Sequence, residues 1–270
     1  MTQGDDWRPA GRGIDPSVAH IARVQDYWLG GKDHFEADRI AGDEAIAQLP
    51  DMAASVRNTR AFLGRTVRFL AAEQGIRQFL DVGTGIPTAS NTHEVAQRFA
   101  PSSRIVYVDN DPMVLAHARA LLSGGVPGAT AYLDADLRDV GAIIQAAADR
   151  LDFTRPVAVM LVAVLHLISD ADDPAAIIGA LMAAVPPGST LTISHVPNDM
   201  HMGAMADMSE RLNRLLSQPS TYRSRAQVAG FFDGLELVEP GVVPIQQWRP
   251  GTPEEAGAVA AMWGGVALNV

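Results

Sequence analysis

The stretch that decides the fold of this chain reads Gln78-Phe79-Leu80-Asp81-Val82-Gly83-Thr84-Gly85-Ile86-Pro87-Thr88. A short apolar run contains an acid near its end, two glycines follow one residue apart, and Pro87-Thr88 suits the start of a helix. This pattern is typical of a buried parallel strand that turns sharply into a helix. Glycines in such a turn let the backbone approach a ligand closely, and the N–H groups that begin the helix add a positive end.

The turn distinguishes between two kinds of nucleotide site. The dinucleotide fingerprint needs a third glycine three residues after the second, and this chain has Thr88 there. Asp81 lies at the predicted strand tip, where a carboxylate repels a pyrophosphate but suits an ammonium group. The turn therefore favours S-adenosylmethionine (SAM), whose amino-acid end is zwitterionic, over a nicotinamide dinucleotide. A tight turn with a solvated Asp81 and no ligand is the alternative.

Composition limits the classes of protein and partner. The chain has 270 residues, no Cys, 47% hydrophobic residues and a formal net charge of −10. The lack of Cys excludes disulfides and thiolate metal sites. The acidic balance argues against a nucleic-acid partner, because phosphate backbones are bound by basic patches. The longest apolar run, 157–165, is far shorter than the ~20 residues of a membrane helix, and no signal peptide is recognised, so we expect a cytoplasmic protein without membrane contact.

The first part of the chain is predicted to be an arm followed by a helical cap. Residues 1–13 are rich in Gly, Asp and Arg and predict a mobile arm. Helices are predicted from Asp15-Pro16 to Gly30-Gly31, over 35–48 and over 52–74. We therefore divide the chain into an arm and cap over 1–75 and a SAM-binding domain over 76–270, which form one compact unit.

From residue 76 onward, strand and helix patterns alternate. Strands are predicted over 78–82, 104–108, 130–133, 156–162 and 190–194, with helices over 91–99, 112–122, 140–150 and 173–185. Short apolar strands alternating with amphipathic helices predict an α/β, doubly wound parallel sheet. A Met-rich helix over 198–217, a helix over 224–232 and strands over 235–239 (possible extension to 248) and 263–268 follow. The last two strands predict a seven-stranded sheet with an antiparallel edge.

Acidic residues follow the second predicted strand. In a doubly wound sheet, ligands lie beyond the carboxyl ends of the strands. Asp109 comes 24 residues after Gly85, near the spacing at which an acid binds ribose hydroxyls. This spacing occurs in NAD and SAM sites alike. Asp111 fits the N-cap of a helix that begins at Pro112 better than Asp109 does.

The third predicted strand also ends in acids. Asp136 can accept a hydrogen bond from an adenine amino group, and the backbone N–H of Leu137 can donate to a ring nitrogen. An acidic loop before a helix is the alternative explanation. No metal site is predicted, because we know no metal-binding loop with the spacing of Asp109, Asp111, Asp134 and Asp136.

Histidines near two strand ends are candidate general bases. His166 follows the fourth strand and is our first choice, His195 ends the fifth and is the second, and His201 comes shortly after. A structural histidine with satisfied hydrogen bonds is the alternative at each position.

The segment from Asp26 to Asp33 combines aromatic, glycine and charged residues densely. Its backbone at Gly31 and the ammonium group of Lys32 could meet a carboxylate. On the third helix, a carboxylate could likewise be met by Arg57, Asn58 and Arg60. A helix–helix corner with solvated charges is the alternative.

Together these motifs resemble a known family. Segments 79–85, 106–112 and 134–138 resemble the SAM-binding motifs of class I methyltransferases. More narrowly, the chain resembles an actinobacterial SAM-dependent methyltransferase family first catalogued as a domain of unknown function. That resemblance covers about 14–268, and its motifs match 28–32, 78–85, 238–242 and 248–250.

The resemblance implies a Rossmann-like sheet with strand order 3-2-1-4-5-7-6 and SAM as cofactor. Carried over, Asp81, Gly83 and Gly85 would hold the methionine end, Asp109 the ribose, and Asp136 with Leu137 the adenine. The remaining predicted cofactor-binding residues are Tyr27, Gly31, Lys32, Thr84 and Asn110. After the fourth strand, Val164-Leu165-His166 replaces the signature of nucleic-acid amino-methyltransferases, which argues against base amino groups as acceptor.

The sequence therefore predicts a SAM-dependent methyltransferase that acts on a small molecule by in-line displacement, with His166 as the candidate base. A non-catalytic SAM-binding regulator and an NAD-dependent oxidoreductase are the alternatives.

Overall fold

The computed structural model describes residues 14–88, 90–122 and 129–270, so the predicted arm over 1–13 lies outside the described residues. The helices are α1 (Ile21–Trp28), α2 (Glu36–Gln48), α3 (Met52–Arg68), α4 (Thr92–Phe99), α5 (Pro112–Leu122), α6 (Val140–Ala147), α7 (Pro174–Ala183), α8 (Met202–Leu215), α9 (Arg225–Gly230) and α10 (Pro253–Ala256). The strands are β1 (Gln78–Val82), β2 (Arg104–Asp109), β3 (Thr130–Asp134), β4 (Ala158–Val162), β5 (Thr190–His195), β6 (Glu236–Leu237), β7 (Val243–Pro244) and β8 (Trp263–Leu268). A π-helical turn, Phe69–Glu73, ends α3.

The strands form one mixed sheet in the order β3-β2-β1-β4-β5-β8-β6, with β7 also paired to β8. Strands β1 to β5 are parallel, and β8 runs antiparallel to β5, β6 and β7. This confirms the predicted order, in which the strand over 263–268 was counted as the seventh. The suggested extension of strand 235–239 to residue 248 is wrong. Gly241, with φ +81°, makes a turn there and donates to the carbonyl of Val238.

Alternating side chains of the central strands build a separate apolar core on each face of the sheet. Leu80 and Val106 belong to one core, whereas Phe79 and Ile105 belong to the other. This follows from the two-residue repeat of a strand, which sends neighbouring side chains to opposite faces. Asp81 therefore lies on the same face as Phe79.

The N-terminal helices pack against α8. Val24 and Trp28 of α1 and Ala41 of α2 share an apolar cluster with Met205 and Met208 of α8. Helices α1 to α3 and α8 thus form a cover on one side of the sheet. The boundary at residue 75 stays a prediction. No helix of the described residues is long and apolar enough to cross a bilayer.

The predicted start of the first helix at Asp15-Pro16 is wrong, whereas the helix predicted over 91–99 is confirmed as α4. Helix α1 begins at Ile21 with His20 as its N-cap, because the carboxylate of Asp15 accepts from the N–H and hydroxyl of Ser17 and makes a turn instead. The helix after the glycine turn does not start at Pro87-Thr88. It starts at Thr92, where Asn91 and Glu94 form a capping box.

Candidate active site

Two adjoining cavities lie at the carboxyl ends of the parallel strands. The large cavity has about 1080 Å³ of empty space, with the open solvent at its mouth included, and the second has about 620 Å³. Both are lined by Gly83 and Gly85 from the glycine turn and by Gln25 from α1. The turn that decides the fold therefore forms the boundary between two parts of one site.

The two glycines of the turn are required by its backbone. Gly83 has φ +75° and Gly85 has φ +65°, a region that other residues rarely adopt. A Cβ on Gly83 would lie 2.2 Å from a methyl group of Val164. The N–H of Gly83 donates to the carbonyl of Val108 over 2.8 Å. The turn is thus fixed, and at these two positions it contributes backbone without a side chain to the lining of both cavities. Thr84 between the glycines lines the large cavity.

A carboxylate and a guanidinium lie together on the wall of the large cavity. Asp81 is 4% exposed and accepts a hydrogen bond of 2.6 Å from the hydroxyl of Thr92. Burial raises the pKa of Asp81 to about 6, against the opposing effects of Thr92 and the positive charge of Arg60. Arg60 donates to Oδ1 of Asn91 over 3.2 Å, and burial lowers the pKa of its guanidinium. The pair suits a ligand that carries both an ammonium and a carboxylate group.

Asp109 lines the second cavity and ties two loops together. Its Oδ2 accepts from the N–H of Gly85 over 2.9 Å, and its Oδ1 accepts from the N–H of Asp111 over 3.0 Å. Burial raises the pKa of the Asp109 carboxyl. Asp111 instead caps α5 by accepting from the N–H of Met113 and pairs with His20 at 2.7 Å. The predicted division of roles between the two acids is consistent with this geometry.

The residues predicted for the ribose and adenine come together in the second cavity. Asn110, Asp136 and Leu137 line it beside Asp109. Asn110 donates to Oδ2 of Asp136 over 3.3 Å, and the N–H of Arg138 donates to Oδ1 over 2.9 Å. These bonds orient the carboxylate of Asp136. The contacts of these residues with a cofactor stay predictions.

The structure does not bring Tyr27, Gly31 and Lys32 into either cavity, as judged from the described residues that line them. Tyr27 donates to Asp43 over 2.7 Å on the outer side. A Cβ on Gly31 would lie 2.0 Å from Oδ1 of Asp26, so this glycine makes room for a buried carboxylate.

Asp26 is the cavity residue that this segment supplies. It lines the large cavity, and its Oδ2 accepts from the N–H of Asp33 over 2.8 Å and contacts Nδ1 of His34 at 2.9 Å. Asp26 begins this segment but was not predicted as a site residue. The sequence feature that could have indicated this residue is an acid one helical turn before a Gly-Gly pair.

His166 lines the large cavity, as a candidate base should. The ring is 3% exposed, and its Nδ1 has no hydrogen-bond partner within the described part of the chain. Burial, with the nearby His195 and Arg223, lowers the pKa of His166 to about 3. The imidazole is therefore neutral at physiological pH and is a weak base, which disfavours the predicted role of proton abstraction from an unreacted hydroxyl. That role stays a prediction.

His195 is held as a structural residue. Its Nδ1 contacts the carbonyl of Val196 at 2.8 Å, and its Nε2 lies 2.9 Å from Nη1 of Arg223. Arg223 is 2% exposed and also donates to the carbonyls of Leu165 and Ile168. Both ring nitrogens of His195 are engaged, which argues against it as a base. Arg223 in turn fixes the backbone on either side of His166.

Most of the remaining wall is apolar. It includes Met52 and Val56 of α3, Met205 and Met208 of α8, and Met262. Met202, on the same helix, is 67% exposed. The Met-rich helix thus serves in packing and in covering the cavity. In the described ranges, no group of three His, Asp or Glu residues could hold a metal ion.

Comparison with known proteins identifies the family. The model of the S-adenosyl methyltransferase family matches residues 8–270. The chain belongs to this family. A DUF574 family protein from Streptomyces avermitilis MA-4680 is 41% identical, with a TM-score of 0.91 over 96% of this chain and 100% of that one. A candidate methyltransferase from Thermobifida fusca YX is also 41% identical, with a TM-score of 0.88 over 97% and 98% of the two chains.

Solved structures with lower sequence identity show only that the fold is similar. Mitomycin 7-O-methyltransferase MmcR is 16% identical, with a TM-score of 0.52 over 95% of this chain and 74% of that one. The comparison with curated proteins gives no match.

As a member of the S-adenosyl methyltransferase family, the chain is a SAM-dependent methyltransferase with SAM as its cofactor. This family assignment sets aside the oxidoreductase alternative. The cavity walls fit the cofactor chemically. A desolvated carboxylate beside a guanidinium, next to a turn without side chains at Gly83 and Gly85, suits the zwitterionic end of SAM.

Proposed function

We propose that the chain transfers the methyl group of SAM to a small-molecule acceptor by in-line displacement. The observation that carries this proposal is the cover over the large cavity. Met205 and Met208 of α8 are 1% and 2% exposed, and both line the cavity. A protein or nucleic-acid segment would have to displace this helix to reach the glycine turn, whereas a small molecule fits beneath it.

The cofactor would be held by the two charged groups and the two loops described above. Asp81 pairs with the ammonium group and Arg60 with the carboxylate of the methionine end. Asp109 accepts from the ribose hydroxyls, since each of its oxygens has a second lone pair in addition to its backbone hydrogen bond. Asp136 and Leu137 meet the adenine. The glycine turn lets the backbone lie against the nucleoside.

When bound, SAM supplies a methyl carbon that its positively charged sulfur has already activated. The chain then has three tasks: to align the acceptor with that carbon, to exclude water and to give the leaving proton a destination. The apolar cover formed by α1, α3 and α8 excludes water. The ring of His166, which is neutral and carries a nitrogen lone pair, belongs to the lining of the same cavity.

The proposal is tested by following a radiolabelled methyl group. The chain is incubated with methyl-tritiated SAM and a cell extract separated into small-molecule and macromolecular fractions. We expect the label to enter the small-molecule fraction with the wild type, and to fall strongly with Asp81→Asn. Asp149→Asn, an exposed acid outside the site, is the matched control and should behave as the wild type. Transfer of the label to protein or nucleic acid alone would overturn the small-molecule assignment.

A further inference from the structure

The lining of the large cavity extends beyond Asp81, Arg60 and the glycine turn, and the character of these walls restricts the acceptor. Among the described residues that line it, the charged side chains are Asp26, Asp81 and Arg60. The guanidinium of Arg60 donates to Asn91 and faces two carboxylates. Among these residues, no cation is therefore left to bind an acidic acceptor. A cationic acceptor would be repelled by the sulfonium of the methyl donor. An uncharged acceptor is the class that these charges allow.

The apolar wall favours a flat ring system. Four methionines, Met52, Met205, Met208 and Met262, line the cavity together with the indole of Trp28. Methionine side chains adapt to irregular ligands, and their sulfur atoms make favourable contacts with aromatic rings. Two of them belong to the helix that covers the site. An aromatic acceptor would pack against this apolar wall.

One polar group in this wall needs a partner. Nδ1 of His166 is buried without a hydrogen bond in the described structure, and a buried polar atom left unpaired is costly. Arg223 fixes the backbone around this residue by donating to the carbonyls of Leu165 and Ile168. A hydroxyl both donates and accepts, so it can satisfy this nitrogen in either tautomer.

We propose that the large cavity binds an uncharged aromatic acceptor whose hydroxyl group hydrogen-bonds to His166, and that this hydroxyl oxygen is methylated. This inference rests on the proposed function and names the substrate class for it. The acceptor oxygen gives a lone pair to the methyl carbon while the carbon–sulfur bond breaks and its electron pair stays on sulfur. The hydroxyl hydrogen then leaves as a proton to the imidazole of His166, and passes to water when the product is released.

The weak basicity of His166 is compatible with this order of events. With a pKa of about 3, the ring takes few protons from an unreacted hydroxyl. The oxygen becomes a protonated ether as the new bond forms, and this is a far stronger acid than the imidazolium. Proton transfer therefore follows or accompanies methyl transfer.

The test uses calorimetry at pH 7 to measure the binding of three probes that share a naphthalene ring and differ in the charge of their substituent. The chain is first saturated with sinefungin, a positively charged SAM analogue that transfers no methyl group. The probes are 2-naphthol, 2-naphthoate and 2-naphthylmethylammonium. We expect 2-naphthol to bind at least ~10-fold more tightly than either ion, because an apolar wall penalises a buried charge. Equal or tighter binding of an ion, or no binding of 2-naphthol at millimolar concentration, would overturn the inference.

A matched pair of variants on α8 locates the probe. Met208→Gln changes the lining with little change of volume and should weaken 2-naphthol binding about 5-fold or more, since apolar contact is lost. Met202→Gln makes the same change at an exposed position and should bind 2-naphthol as the wild type does. Equal effects of the two variants contradict the location. The preceding titration with sinefungin separates the two proposals: failure of sinefungin to bind overturns the cofactor site and the acceptor inference together, whereas a preference for an ion with sinefungin bound overturns only the latter.

Discussion

Replacement of Asp81 by Asn should stabilise the unliganded chain and weaken its binding of SAM. Asn keeps the shape of the side chain and can still accept the hydrogen bond from Thr92. It removes the negative charge that lies on the cavity wall beside Arg60. Stability and binding therefore move in opposite directions, which a purely structural role of Asp81 does not predict.

The magnitude follows from the pKa of Asp81. Burial raises it from 3.8 to about 6, in spite of the hydrogen bond from Thr92 and the charge of Arg60. The folded state thus holds this proton more tightly than the unfolded state, so the free energy of unfolding rises as pH falls from above 6 to below 3.8. At about 1.4 kcal/mol per pKa unit, the ionised group costs on the order of 3 kcal/mol at pH 7, and Asp81→Asn should recover part of this.

Binding of SAM has the opposite pH dependence. The ammonium group pairs with the ionised carboxylate, so the fraction of Asp81 that is protonated is unable to form the ion pair. With a pKa of about 6, the apparent dissociation constant should be about 2-fold higher at pH 6 and about 10-fold higher at pH 5 than at pH 8. Binding by Asp81→Asn should be weak at pH 8 and should lack this change.

The assay combines calorimetric titration with SAM and urea unfolding, each at pH 8, 7, 6 and 5. The difference between the wild type and Asp81→Asn isolates Asp81 from other groups that titrate in this range, including Asp109, whose pKa burial also raises. If the variant binds SAM as the wild type does, or if it is less stable than the wild type at pH 7, the assignment of Asp81 to the ammonium group is refuted.

Three further predictions concern the turn, the second cavity and the support of His166. Gly83→Ala should lower the free energy of unfolding in urea by about 2–5 kcal/mol, because alanine is strained in this left-handed backbone and its Cβ would clash with Val164. Gly64→Ala, in a helix with nothing within 4 Å of the added Cβ, should raise it by about 0.4–1 kcal/mol; similar losses in both would contradict the account. Asp109→Asn should weaken SAM in calorimetry by about 10-fold, as expected for a buried charge-assisted contact, and unchanged affinity would remove it from the ribose site. Arg223→Gln deletes a buried donor of five hydrogen bonds. It should cost about 2–4 kcal/mol in urea unfolding, because the carbonyls of Leu165 and Ile168 lose their donor, and a loss below 1 kcal/mol would show that the network is dispensable.

The sheet could be predicted because each central strand is a short apolar run bounded by turn residues. Strand β1, Gln78–Val82, and strand β8, Trp263–Leu268, have the bounds that the sequence predicted. Parallel strands place their carboxyl ends at one edge, so Asp109 and Asp136 could be assigned to one site although they are far apart in the sequence. The sequence could not show that the predicted start of the first helix at Asp15-Pro16 is too early. The observed start at Ile21 depends on the turn formed by Asp15 and on a contact between Ala19 and Leu216.

The site was only partly predictable for similar reasons. The sequence shows that the segment at Gly31 is unusual, but not that the glycine makes room for Asp26 instead of meeting a ligand. Arg60 was one of three candidates on α3, and only the packing of α3 against the sheet shows which of them lines the cavity. The engagement of His195 by Arg223 joins residues 28 positions apart in the chain. Such contacts depend on tertiary structure and leave no local pattern.

The most direct test of the central claim is a crystal structure of the chain with S-adenosylhomocysteine, the product of methyl transfer. We predict that its ammonium group lies within hydrogen-bond distance of Asp81, its carboxylate near Arg60, its ribose hydroxyls at Asp109 and its adenine beside Asp136 and Leu137. The sulfur atom should face the large cavity lined by His166 and Met208. A ligand that lies elsewhere, or that leaves Asp81 in contact with Thr92 alone, would contradict this account of the site.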